Sequence, residues 1–327
     1  MIKAKRTLLS LALATAAIAP AVQADDGFKL TDKLSITGFI DMSWVHTDAD
    51  GEDSDQSAGL DQFELNFLYT FDDKLSALVD LEYQDIDDAD GEDEVDLEQA
   101  FITYALNDQV TIKAGRFLSY SGWETEEPTG LFQFSGTGYA QFFYGGYQQG
   151  VSVMYSGDGY ALAVSAVNDL ADPEARDSEE MGYELMTAFM PTDSVTVKGF
   201  YMTDKLDGTD EDIELINVWA SYAEGPLTLA AEYNTADNSA FLNSEADGYL
   251  LMANYAFDSF GLTLRYHDYE VTNDVTGDVF EEMSGITISP SVALSDNLLM
   301  VFEYRMDENE VTGDDTTTFA VEALITF

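Results

Sequence analysis

The sequence has no cysteine, two histidines, six prolines, and 13 Lys plus Arg against 63 Asp plus Glu in 327 residues. Without cysteine there is no disulfide framework and no thiol chemistry. His46 and His267 are the only imidazoles: His267 is near Arg265 and Asp268 but has no obvious serine partner in the sequence, and His46 sits where the first strand gives way to its acidic loop. Nucleophilic catalysis therefore has little to build on, and both read as ordinary polar strand residues; no enzyme is expected. So few cations argue against nucleic acid as a partner, because phosphates are repelled by an acidic surface. After the first 24 residues no apolar run approaches the ~20 residues that a membrane helix needs. That excludes a helix-spanning protein. It leaves open a closed β-barrel, whose strands need an apolar residue only at every second position.

What is present begins with a short leader. Lys3, Lys5 and Arg6 precede an apolar stretch at 8–19, and Val22-Gln23-Ala24 meets the small-residue cleavage rule. Residues 1–24 are expected to be a cleaved signal peptide and 25–327 a single domain. Losing Lys3, Lys5 and Arg6 leaves ten cations and a formal net charge of −53.

Beyond the leader, short apolar-alternating segments are separated by two kinds of connection. The short kind uses turn formers: Asp72-Asp73-Lys74, Asn107-Asp108-Gln109, Gly157-Asp158-Gly159, Pro191-Thr192-Asp193, Glu224-Gly225-Pro226, Asp258-Ser259-Phe260-Gly261 and Ser295-Asp296-Asn297. Gly supplies positive φ, Pro fixes φ, and Asp or Asn bonds nearby backbone. The long kind is mostly acidic, at 47–59, 87–94, 117–148, 168–180, 203–211, 234–247, 270–282 and 306–315. Short turns alternating with long loops separate sixteen strands, beginning near Leu34, Leu60, Leu75, Val95, Val110, Val151, Tyr160, Gly182, Ser194, Ile213, Leu227, Gly248, Leu262, Met283, Leu298 and Thr316.

Parity divides each strand into two faces. Phe63, Leu65, Phe67, Tyr69 and Phe71 oppose Gln62, Glu64, Asn66 and Thr70; Ala77, Val79, Leu81 and Tyr83 oppose Ser76, Asp80, Glu82 and Gln84. A soluble sandwich would turn the apolar set inward, and a membrane barrel would turn it outward. Parity alone does not choose. The leader, the even strand number, the aromatic content of 13% and the final strand ending on Phe327 favour the barrel. The fold expected is all-β: a transmembrane, antiparallel, up-and-down β-barrel of about 16 strands. The connection at 117–148, after the fifth strand, is the longest and the most aromatic. So many rings do not belong in water, and a loop this long is usually functional. It either folds into the barrel or caps its mouth.

The closing strand ending on Phe327, the stretch Lys113-Ala114-Gly115-Arg116-Phe117, then Gly122-Trp123-Glu124 and the aromatic run, resemble the outer-membrane porins of Gram-negative bacteria, in particular the OmpL-like group. The resemblance covers the whole mature chain. It implies an outer-membrane location, passive diffusion of small hydrophilic solutes and ions, and a homotrimer. It also implies that 117–148 folds inward and narrows the pore.

Lys113, Lys198, Arg265 and Arg305 share parity with the polar faces of their strands and should point into the lumen; at mid-depth on the lipid face each would cost ~2–4 kcal/mol. One expectation sets them across the constriction from Glu124, Glu126 and Glu127, with Arg116 at the loop's base. The other pairs them with lumenal carboxylates such as Glu64, Asp80, Glu82, Glu232, Glu303 or Glu322. An acid-rich lumen should prefer cations. The runs at 48–53 and 87–93 miss the Asp-x-Asp-x-Asp-Gly calcium pattern, because His46 and Ile86 stand at the first ligand positions. No cofactor is expected beyond loosely held Mg²⁺ or Ca²⁺ at such loops. The competing class is a non-conducting structural or adhesive barrel that binds a partner through its acidic loops.

Overall fold

A computed structural model describes residues 28–84, 95–124, 126–170, 172, 174–176, 180–206 and 208–327. The expected signal peptide and the acidic segment 87–94 lie outside the described residues. After a two-residue stub, β1 (Phe28–Lys29), come β2 (Leu34–Ala49), β3 (Asp55–Thr70), β4 (Leu75–Gln84), β5 (Val95–Ala105) and β6 (Val110–Leu118). The inward loop follows. Then come β7 (Tyr147–Ser156), β8 (Tyr160–Val167), β9 (Gly182–Thr192), β10 (Val195–Lys205), β11 (Asp212–Glu224) and β12 (Leu227–Asp237). The last are β13 (Ser244–Ala256), β14 (Gly261–Asn273), β15 (Val279–Ser295), β16 (Leu298–Asn309) and β17 (Asp314–Thr326). Each strand from β2 to β17 pairs antiparallel with its sequence neighbours, and β17 pairs with β2, so the sixteen close into a barrel.

The closing seam is bonded to its end: Gly38 N–H donates to Phe327 O at 2.9 Å and Phe327 N–H to Gly38 O at 3.0 Å. The stub β1 continues the same edge, with Phe28 opposite Ile36. Gly38 is required here, since a Cβ would fall 2.2 Å from Glu64 O and 3.0 Å from the Phe327 ring.

The apolar faces point outward. Along β9, Tyr183, Leu185, Thr187 and Phe189 are exposed while Gly182, Glu184, Met186 and Ala188 are buried. Exposed aromatics gather at both rims: Tyr69, Phe71, Tyr104, Tyr160, Tyr222 and Tyr255 near the short turns, Trp44, Tyr201, Tyr233 and Phe319 toward the long loops. Two aromatic girdles around an apolar band are what a bilayer demands of a barrel. Asp41, Glu64, Asp80, Glu232, Glu303 and Glu322 are each under 6% exposed, on the inside. The sandwich arrangement, with charges in water, is thereby excluded.

Several strands start earlier than their apolar pattern: β3 at Asp55, β13 at Ser244 and β15 at Val279. The connections shrink accordingly, the one expected at 47–59 to 50–54 and the one at 270–282 to 274–278. Backbone pairing continues above the membrane, where both faces meet water and apolar alternation has no reason to persist.

Candidate functional site: the inward loop and the two walls of the lumen

The loop between β6 and β7 runs from Ser119 to Gly146, with a 3₁₀ turn at Pro128–Gly130 and a single helical turn, α1, at Ala140–Phe143. Gly122, at φ 91, makes its first bend, directly against the Tyr144 ring. The loop's rings then pack on one wall. Trp123 meets Trp219 edge-on at 5.3 Å between centroids and stacks on Phe132 at 6.2 Å. Phe142 and Tyr139 each lie 5.9 Å from Tyr269. That wall, from β7 to β14, turns Met154, Met186, Phe200, Met202, Leu215, Leu250 and Met252 inward, an apolar lining suited to these rings. Burying a large apolar side chain is worth ~1.5–3 kcal/mol. The packing alone therefore holds the loop off the mouth.

Buried polar latches fix its register. Glu232 accepts hydrogen bonds from Trp123 N–H at 2.8 Å, Tyr139 Oη at 2.5 Å, Asn217 Nδ2 at 2.5 Å, and Tyr144 Oη. Glu184 accepts from Ser119 Oγ and Tyr120 N–H, both at 2.9 Å, and from Gln148 Nε2 at 2.7 Å. Arg265 Nη1 meets Glu124 Oε1 at 2.5 Å, and Glu124 also accepts from Gln133 at 3.0 Å and Thr137 N–H at 2.7 Å. Arg305 is held by Asp307 at 2.6 Å and donates to the carbonyls of Gly136 and Thr137 and to Ser135 Oγ.

The opposite wall is built differently. On β2 to β5 and β17 the inward set is Asp41, Gln62, Glu64, Asp80, Glu82, Glu98 and Glu322, each buried. None of these carboxylates pairs with a Lys or Arg among the described residues. Two bulges enrich it. The register passes from Asp80–Gln99 to Leu81–Leu97, so Glu98 is an extra residue turned inward beside Gln99. Likewise Asp41–Gln62 is followed by Met42–Leu60, leaving Asp61 beside Asp41. Glu127 reaches this wall from the loop, accepting from Gln62 Nε2 at 3.2 Å and from Tyr147 Oη at 3.1 Å. Burial, and then the charges of Glu64 and Glu98, hold the Glu127 carboxyl well above the usual carboxylate range. Next to it a cavity of about 290 Å³ opens, lined by Gln62, Glu82, Asp96, Glu98, Arg116 and Glu126.

The residues singled out from sequence therefore separate. Glu124 and Arg265 are brought into contact, with Arg305 beside the same loop segment. Glu126 and Glu127 face carboxylates instead of cations. Arg116 pairs with Glu174 and lies 3.8 Å from Asp96 at the cavity rim. Lys113 and Lys198 point inward but are covered by rings: Lys113 Nζ lies 4.9 Å from the Phe101 ring, 5.2 Å from Phe117 and 4.6 Å from Tyr120, and Lys198 Nζ lies 4.9 Å from Trp219. The expectation that all four strand cations stand across an open gap from three glutamates is corrected. The loop docks on the cationic side and closes the gap. Parity missed Glu98, since a bulge resets it. Two adjacent polar residues, Glu98-Gln99, in an otherwise alternating strand were the available sign.

The sequence profile of Gram-negative porins matches residues 9–312. Among curated proteins no sequence matches. Solved structures match over most of their length. OmpF of Salmonella typhi, in complex with daunomycin, is 17% identical with a TM-score of 0.68, covering 89% of this chain and 97% of that one. An anion-selective porin from Comamonas acidovorans is 14% identical with a TM-score of 0.64, covering 90% and 99%. The trimer form of OmpT from Vibrio cholerae is 13% identical with a TM-score of 0.64, covering 90% and 100%.

Proposed function

The chain belongs to the Gram-negative porin family, and from that premise we propose that it forms a cation-preferring diffusion channel for small hydrophilic solutes and ions in the outer membrane. The observation that carries the preference is the acidic wall. Its carboxylates Asp41, Glu64, Asp80, Glu82 and Glu98, which pair with no Lys or Arg among the described residues, line the side of the lumen away from the loop's aromatic packing. Carboxylate-lined constrictions attract cations and repel anions. The fold itself does not set the sign, because a porin of the same fold is described as anion-selective. Glu126 and Glu127 of the loop form the moving edge of the constriction, and Arg265 and Arg305 anchor that loop without facing the permeating ion. Export by a cleaved signal peptide and assembly as a homotrimer complete the reading; the trimer form of OmpT supports the second. The exposed acids Asp48, Asp50 and Asp53 hold Mg²⁺ or Ca²⁺ loosely against lipid phosphates. Transport is passive and needs no covalent step.

One observation favours a second reading, a non-conducting barrel: the loop touches β3 through Glu127 and, on the far side, β14 and β16 through Arg265 and Glu303. Conductance separates the two. In a planar bilayer under a KCl gradient the refolded protein should give stepwise currents with a cation-selective reversal potential, reduced by Glu126→Gln with Glu127→Gln. Anion selectivity would reject the lumen assignment. Stable insertion without current would establish the closed barrel.

A further inference from the structure

Glu64 on β3, Glu98 at the β5 bulge and Glu127 on the inward loop come together from three distant parts of the chain. Each offers a carboxylate oxygen within 4.8 Å of the other two. Two oxygens bound to one Ca²⁺ at ~2.3–2.6 Å cannot lie further apart than ~4.6–5.2 Å, so this spacing fits a shared ion. A second observation points the same way. Glu64 is 3% and Glu98 5% exposed, yet Oε2 of each accepts no hydrogen bond among the described residues. A buried carboxylate oxygen without a donor is costly and calls for a counter-charge. No Lys or Arg pairs with either side chain among the described residues.

We propose that Glu64, Glu98 and Glu127 bind one divalent cation, Ca²⁺ fitting best, which ties the inward loop to the acidic wall. Ca²⁺ tolerates irregular sets of oxygen ligands and bound water, whereas Mg²⁺ demands near-ideal octahedral geometry that three carboxylates from two strands and a loop do not supply. The bound ion joins the loop edge that faces the acidic wall, where Glu127 already accepts hydrogen bonds from Gln62 and Tyr147. It acts as a pin, adding coordination to those hydrogen bonds. The site is separate from the loosely held ions of the outer loops, because its ligands lie inside the barrel.

The test is Ca²⁺ binding to the refolded, EDTA-stripped full chain in detergent, by isothermal titration and by the thermal midpoint with and without Ca²⁺. It uses no current, so its failure leaves the channel reading untouched. The expected result is one saturable site above a weak background, with Ca²⁺ raising the thermal midpoint. Glu98→Gln and Glu127→Gln should each weaken the site tenfold or more and abolish the midpoint shift. Glu127 stands on the loop, so its variant keeps the barrel strands intact. Asp50→Asn with Asp53→Asn, on an outer loop, should leave the tight site unchanged. Absence of a saturable site, equal binding by Glu98→Gln and Glu127→Gln, or loss of the site in the outer-loop variant would each overturn the proposal.

Discussion

The two halves of the lumen wall differ in what holds them. From β7 to β14 the wall is apolar, and the loop is glued to it by stacked rings and by carboxylates that each find several donors. On β2 to β5 and β17 the wall is acidic, its buried carboxylates pair with no Lys or Arg among the described residues, and the loop approaches it through Glu126 and Glu127. The first half behaves as a protein core turned inside a barrel. The second is a field source. In the proposed reading shape and selectivity belong to different residues, and each should change without the other.

The largest effect should come from breaking the buried Arg265–Glu124 ion pair that anchors the loop. Arg265→Ala strands Glu124 without its cation and should cost about 3–5 kcal/mol, read as a lower unfolding midpoint with noisier, larger single-channel currents. The acidic side should answer in the opposite way. Glu82→Gln with Glu98→Gln removes charge at roughly 1 kcal/mol per charge at ~4 Å in water, several-fold in cation over anion permeability. In EDTA, stability should hold or rise, because mutual repulsion is relieved. Reversal potentials and chemical melts on the same samples would expose any mixing of the two roles.

A pH titration sharpens the contrast further. The Glu127 carboxyl is held above its ordinary range, so its contribution to loop docking is complete below the usual carboxylate value of ~4.3 and is lost as pH rises through the raised value. In EDTA, where no Ca²⁺ holds the loop, conductance should thus be lowest at acid pH and increase as pH passes the raised value, and Glu127→Gln should flatten that dependence. A pH-independent current in the parent chain would remove Glu127 from the gate. The smallest change is expected for Lys198→Met, which trades a cation–π contact with Trp219 for apolar packing. It should move stability by about 1 kcal/mol or less and leave selectivity unaltered, since that charge does not face the permeating ion.

Most of the barrel was legible because lipid outside and charge inside impose a period of two on every strand. The starts of β2, β4, β5, β6, β8, β12 and β16 coincide with the first apolar-alternating residue. The upper reaches of β3, β13 and β15 were not, because strand pairing above the bilayer has no apolar face to mark it. The lumenal orientation of Glu64, Asp80, Glu232, Glu303 and Glu322 followed from parity once the leader, the even strand number and the closing strand had favoured a membrane barrel. Which wall receives the loop did not. That depends on Met186, Met202, Leu215 and Trp219 facing the same space as Trp123 and Phe142, a long-range match no local pattern carries. Glu98 was hidden for a different reason: one inserted residue at a bulge reverses the parity on which every such assignment rests.

The seam between β2 and β17 has a kinetic consequence. Every other barrel strand pairs with the strand before it in the chain, across a turn or a loop. This ladder alone joins residues separated by almost the entire sequence, Phe39 with Thr326. Its loop-closure entropy is the largest in the molecule and has to be met before the ladder returns any hydrogen bond. Until then both edges carry unsatisfied backbone groups that hydrocarbon does not tolerate. Insertion and closure are therefore a single late event, and the polypeptide must travel to the membrane as an unclosed chain.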